Sequence, residues 1–177
     1  MEILIDWSYR EADMAKLPIA ELALFAMRAE NLPDTAEVSI AFVDNAEMAA
    51  LNAEYRGKEG PTDVLSFECD MDGLDGVPAD MGEPVFELGD IIIAPDVAEA
   101  QTAAFGTTFS QEISLLLVHG ILHLCGYDHI EDDEAAIMQA REKAILGTWF
   151  ATQGADEALC AERIARESAL PKSPEER

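Results

Sequence analysis

All three histidines of this 177-residue chain lie within the eleven-residue segment HGILHLCGYDH, at positions 119, 123 and 129. His119 and His123 are four residues apart, so on a helix their imidazoles project from the same face, one turn apart. Gly126 allows that helix to end in a left-handed conformation, and the turning chain can then bring His129 back to the same face. The spacing therefore predicts a site for one metal ion with three histidine ligands.

The residue types in this segment also indicate which metal is bound and what chemistry follows. Three neutral imidazoles favour Zn²⁺, and three protein ligands leave a fourth coordination position for water. Because zinc lowers the pKa of such a water to about 7, the arrangement indicates a hydrolytic enzyme with one zinc ion as cofactor. Metzincin proteases share this spacing but use a glutamate directly after the first histidine as general base. Gly120 occupies that position here, which argues against peptide hydrolysis by the usual route.

The segment that carries the first two histidines is apolar on nearly every side. Between residues 113 and 125, only Ser114, Gly120 and the two histidines are not large and apolar, and a helix of that kind is buried. Thr108, with Gln111 three residues later, predicts a capping box at the start of the helix. The sequence thus predicts a metal site on a buried helix.

Apolar and polar residues alternate in four short segments that we expect to be strands, and helical spacing predicts the elements around them. The strands are expected at 2–7, 36–43, 63–68 and 87–93, and the helices at 17–31, 45–55, 95–105, 108–125, from about 131, and at 156–169. Glycines and prolines between 70 and 85 predict a surface loop. The order of elements predicts an α+β fold, with a small mixed four-stranded sheet and helices packed on it.

Length and composition indicate one globular domain with a short extension. We expect residues 1–150 to form a single catalytic metallohydrolase domain, and residues 151–177 to form a C-terminal helical extension and polar tail. Three widely spaced cysteines exclude a disulfide scaffold and favour a cytoplasmic location. We expect no membrane association, because no apolar run is long enough to span a bilayer and the N-terminal residues are acidic where a secretory signal is basic.

The formal net charge is −25, and no Lys or Arg occurs between Lys58 and Arg141. This balance excludes a basic nucleic-acid-binding domain of the transcription-factor type. An anionic substrate would have to be bound locally, by a metal ion, Arg56 or Lys58, because the overall field repels it. A solvated, solubilising acidic surface accounts for the same pattern.

The histidine segment and two others together resemble the bacterial YbeY family. The other two are LNAEYR at 51–56 followed by PTDVLSF at 61–67, and LGDIII at 88–93. The segments occur in the family's order, and the resemblance covers about residues 2–148. It implies a zincin-like α+β fold and a zinc-dependent endoribonuclease that cuts single-stranded RNA. The implied roles are maturation of the 16S rRNA 3′ end and ribosome quality control.

The resemblance places the zinc ligands at His119, His123 and His129, and the functionally important arginine at Arg56. A guanidinium there can bind a phosphate through two hydrogen bonds, although from the residues alone a surface salt bridge is the alternative role. The expected partners are single-stranded RNA, notably rRNA, and the ribosome or its proteins. Delivery by such a partner is expected because a chain of this charge binds free RNA weakly.

Two other functions stay open on the sequence alone. One is a metallohydrolase of another substrate, and the other is a non-enzymatic ribosome-assembly factor with a structural zinc. A structural zinc site normally has a fourth protein ligand, often cysteine; Cys125 is the nearby candidate, but its place in a buried helix favours a small core residue. Asp128 is expected either to orient an imidazole or accept a proton, or to cap the next helix.

Overall fold

The computed structural model describes residues 1–69 and 85–153. The elements in chain order are β1 (Glu2–Asp6), α1 (Glu11–Met14), α2 (Ile19–Ala29), β2 (Ala36–Phe42), α3 (Asn45–Arg56), β3 (Val64–Glu68), β4 (Phe86–Ile93), α4 (Pro95–Phe105), α5 (Phe109–Leu124) and α6 (Asp132–Gln153). All four predicted strands are confirmed, as are the predicted helices within these ranges, with ends shifted by at most a few residues. In this part of the chain, no helix is both long and apolar enough to cross a membrane.

Two predicted elements cannot be compared with the structure, and one observed element was not predicted. The expected loop, except for Val85, and the expected helix at 156–169 lie outside the described residues. Helix α1 is a single turn whose last residue, Met14, is fully buried. Its four residues are too few to show a helical period, so no pattern in the sequence predicts it.

The sheet has the strand order β1-β2-β4-β3. Strands β1, β2 and β4 are parallel, whereas β3 runs antiparallel to β4, which confirms the small mixed four-stranded sheet. The β2–β4 register shifts next to Gly89, whose φ of 139° is one that few side chains tolerate. A Cβ at Gly89 would lie 2.2 Å from the carbonyl oxygen of Phe67, so this close approach of β4 to β3 requires glycine.

Helix α5 lies in the main apolar core and contacts α2, α4, α6, β3 and β4. The predicted capping box is confirmed: Gln111 N–H donates to the Thr108 hydroxyl, and Thr108 N–H donates to the Gln111 side chain. A Cβ at Gly120 would lie 2.8 Å from Cγ2 of Ile91, which is fully buried in β4. Helix α5 therefore sits so close to the sheet that position 120 has no room for a side chain.

A second, smaller apolar cluster packs helix α3 on the opposite face of the sheet, since alternate strand residues face opposite sides. Its buried members are Val43, Met48, Leu65 and Ala94. Gly57, with a φ of 65°, ends α3, and the Asn52 amide donates to the Gly60 carbonyl 2.9 Å away. These contacts place Arg56, the last residue of α3, beside the start of β3.

Candidate metal centre

The structure brings the three predicted histidines together. Their candidate ligand atoms all lie within 4.8 Å of one another. His119 and His123 project from the C-terminal end of α5, where their Nε2 atoms are 3.0 Å apart. His129 reaches the same place from the connection between α5 and α6, with its ring 4.9 Å from that of His123.

The end of α5 creates this geometry through its own backbone. Gly126, with a φ of 87°, donates its N–H to the His123 carbonyl, and Tyr127 donates its N–H to the Leu122 carbonyl. These two bonds form the Schellman motif, which confirms Gly126 as the C′ residue. The turn also places the Tyr127 carbonyl 2.9 Å from Nδ1 of His123, so the same motif that ends the helix orients a predicted ligand.

Hydrogen bonds at Nδ1 of His119 and His123 determine which nitrogen of each ring carries a lone pair. A carbonyl only accepts, so His123 Nδ1 donates to Tyr127 and its Nε2 carries a lone pair. Likewise, His119 Nδ1 lies 2.6 Å from Oε1 of Glu142, and donation to that carboxylate leaves a lone pair on Nε2. Two lone pairs 3.0 Å apart repel each other unless a cation lies between them. The donor set therefore fits a metal ion.

The environment of the cluster favours neutral imidazole and disfavours a sulfur ligand. Burial, reinforced by His119 and His129, lowers the pKa of His123 to about 4, so this ring is neutral at pH 7, as a metal ligand must be. Burial raises the pKa of the Cys125 thiol to about 11. Within residues 1–69 and 85–153, neither that thiol nor any carboxylate joins the three histidines in the ligand cluster.

The histidines lie in a cleft with a volume of about 590 Å³. Its lining comprises Tyr55, Arg56, Thr62, Asp63, Val64, Leu65, Ser66, Phe67, Glu68, His119, His123, Asp128, His129 and Ile130. Arg56 is exposed there, and among the described residues it forms no salt bridge with an acid. The guanidinium is thus available to a ligand in the same cleft as the histidines.

Among the described residues, Asp128 hydrogen-bonds neither to an imidazole nor to the start of helix α6, and its role as a proton acceptor stays a prediction. Its Oδ1 accepts the backbone N–H of His129 at 2.7 Å, whereas α6 begins only at Asp132. The carboxylate therefore holds the backbone of one predicted ligand. Ser66 fixes another part of the cleft, because its hydroxyl donates to the Gly120 carbonyl at 3.4 Å.

Sequence reasoning missed two residues of the site. The side chain of Glu142 is only 5% exposed, and it follows buried Met138 and precedes buried Ile145 at helical spacing. An acid within such an apolar stripe was the signal that could have identified it. Tyr55 is 60% exposed at the cleft, with its ring edge-on to Phe67 at 4.9 Å; it stands directly before Arg56 in the LNAEYR segment, and that position was the signal that could have identified it.

Comparison with known proteins shows which family the chain belongs to. The family model described as "Endoribonuclease YbeY" matches residues 7–149. The chain belongs to the YbeY family. A relative named endoribonuclease YbeY from Geobacillus kaustophilus is 46% identical over 138 residues, covering 76% of this chain and 86% of the relative. Another relative of that name, from Frankia casuarinae, is 41% identical, covering 82% of this chain and 71% of the relative.

A solved structure also supports the fold. The solution structure of TM1509 from Thermotoga maritima aligns with a TM-score of 0.55 and 23% sequence identity. The alignment covers 98% of this chain and 99% of that protein. The likeness at this identity concerns the fold, and it supports the α+β architecture described above.

Metal analysis of two variants tests the centre. We expect His123→Ala to lose the bound metal, because two histidines without the third hold the ion weakly. Cys125→Ala is expected to keep the wild-type amount, since the thiol lies outside the cluster. The measurement is metal content per chain by mass spectrometry after dialysis. Metal loss in Cys125→Ala would contradict the three-histidine assignment and favour a closed, structural site.

Proposed function

We propose that this protein is a zinc-dependent endoribonuclease that cuts single-stranded RNA in the cytoplasm. Its proposed roles are 16S rRNA 3′-end maturation and ribosome quality control. The observation that carries the proposal is the three-histidine cluster opening into the same cleft as Arg56, in a chain of the YbeY family. Zinc is the proposed ion because three imidazoles with an open position suit it best.

Each group in the cleft has a distinct proposed task. His119, His123 and His129 would hold the zinc, which when bound supplies Lewis acidity and lowers the pKa of a coordinated water. Arg56 would bind the scissile phosphate and stabilise the negative charge that develops on its oxygens. The hydrogen bonds from the two histidine rings to Glu142 and the Tyr127 carbonyl keep the rings oriented for this task.

Tyr55 offers an explanation for a preference for single strands. Its exposed ring lies at the cleft, where an unpaired base could stack on it. Bases within a duplex are already stacked and cannot do so. We therefore assign Tyr55 to binding of an unpaired base next to the scissile phosphate.

Cleavage of a labelled single-stranded RNA tests the function directly. We expect zinc-loaded wild-type protein to cut it, and His123→Ala and a duplex substrate to give no cleavage. Equal cutting by wild type and His123→Ala would identify a contaminating nuclease. No cutting by the loaded wild type would contradict an autonomous ribonuclease and favour either an enzyme that needs its partner or the assembly factor with a structural zinc.

Arg56→Ala is expected to lower kcat for RNA cleavage by about 100- to 1,000-fold, as does removal of a transition-state donor in other enzymes. Metal content should stay at the wild-type level, because Arg56 is not a ligand. Arg28→Ala is the matched control, since it removes an exposed arginine that does not line the cleft. Equal activity of the two variants would rule out a role for Arg56 in phosphate binding.

Tyr55→Ala is expected to raise KM for single-stranded RNA about tenfold, since base stacking on an aromatic ring contributes about 1–3 kcal/mol. Tyr55→Phe keeps the ring and should retain the wild-type KM. The values come from initial rates over a range of RNA concentrations. If KM rises in Tyr55→Phe, which lacks only the hydroxyl, the result would argue for a hydrogen bond instead of stacking.

The ribosome or a ribosomal protein is the proposed partner that delivers the RNA. A net charge of −25 opposes binding to free RNA, and such binding weakens further as salt screens the few local cations. We therefore expect the protein to co-sediment with ribosomal particles at low salt. If it stays in the supernatant at every salt concentration, delivery by the ribosome is not its route to the substrate.

A further inference from the structure

The two hydrogen-bond acceptors that orient His119 and His123 lie outside helix α5. Glu142, which accepts from His119, lies on α6. The Tyr127 carbonyl, which accepts from His123, lies in the connection between α5 and α6. Neither residue lines the histidine cleft, so both orientations depend on how this connection and α6 are held.

The carboxylate of Glu30 binds both the connection between α5 and α6 and helix α6 itself. The Tyr127 hydroxyl donates to Oε2 of Glu30 at 3.1 Å, and Nε of Arg141 donates to Oε1 of the same side chain at 2.5 Å. Arg141 directly precedes Glu142 on α6, and it also donates to the Ala29 carbonyl at the C-terminal end of α2. The Glu30 side chain is only 9% exposed. A single, largely shielded acid at the end of α2 therefore links the α5–α6 connection, which orients His123, to helix α6, which orients His119.

We propose that Glu30 is a positioning residue for the metal centre, a role that rests on the zinc site proposed above. Through Tyr127 it fixes the carbonyl that orients His123, and through Arg141 it fixes the helical turn whose Glu142 orients His119. Partners of metal-ligating histidines affect metal affinity by about 10- to 100-fold when removed. Glu30 does not contact the histidines itself, but it binds the segments that carry the hydrogen-bond partners of both His119 and His123.

The chain contains a matched control for a purely structural role. Asp96 accepts the Tyr9 hydroxyl at 2.6 Å and an Arg10 guanidinium N–H at 3.1 Å, the same two kinds of donor that Glu30 binds. None of these three residues lines the histidine cleft. Loss of the Asp96 carboxylate should therefore cost stability without changing the metal centre.

The experiment compares Glu30→Gln, Asp96→Asn and wild type in two measurements. Zinc affinity is measured by competition with a chromophoric chelator, and ligand geometry by the visible spectrum of the Co²⁺-substituted protein. We expect Glu30→Gln to bind zinc at least about tenfold more weakly with a changed cobalt spectrum. Asp96→Asn should match wild type in both, although its thermal midpoint falls.

Three outcomes decide the matter. Wild-type zinc affinity and cobalt spectrum in Glu30→Gln, with only the thermal midpoint lowered, would overturn the proposal and leave the metal centre standing. Failure of wild type itself to bind either ion would overturn the metal centre, and the positioning role with it. If Glu30→Gln does not fold, Tyr127→Phe decides, because it removes the hydroxyl bond to Glu30 but keeps the carbonyl. A weaker zinc affinity then supports the proposal, and wild-type affinity overturns it.

Discussion

The site depends first on the burial of helix α5. Apart from His119, every residue of this helix from Gln111 to Leu122 is buried, and the helix is enclosed by α2, α4, α6 and two strands. Each buried aliphatic side chain contributes about 1.5–3 kcal/mol, so rotation of α5 about its axis would expose several of them at a large cost. The direction of the histidine pair at its C-terminal end is therefore fixed by the core, independently of any metal.

The parts of the site that the sequence predicts are those in which local spacing decides the structure. The histidine pair, the Thr108 capping box and the Gly126 helix end each depend on residues within a few positions of one another, and all three are found. The contacts that support the histidines join residues that are far apart in the sequence. Glu142 lies 23 residues from His119, and Glu30 lies 111 residues from Arg141; only the tertiary fold brings them together.

The acidic charge of the protein as a whole repels an anionic substrate, whereas groups in the cleft act on it locally. Charges more than about 8 Å from the cleft are largely screened at physiological salt, so a phosphate inside it responds mainly to the nearest groups. Asp63 is among the acids there, but its carboxylate already accepts hydrogen bonds from Gln101 and from the Val64 N–H. On the proposed function, a bound cation and Arg56 make the cleft favourable for one phosphate, while the acidic surface disfavours long stretches of free RNA.

The packing of helix α5 on the sheet at Gly120 affects which chemistry the site can perform. In the metzincin spacing this position carries the general base for peptide hydrolysis, but here any side chain would overlap Ile91 of β4. The close contact that anchors α5 on the sheet thus excludes a base from that place. Hydrolysis of a peptide and hydrolysis of a phosphodiester both need a nucleophile activated beside the metal, and cleavage of a phosphodiester also gains from a second positive group at the phosphoryl oxygens. On the proposed function, Arg56 would supply this positive group in the cleft, which has no base at position 120.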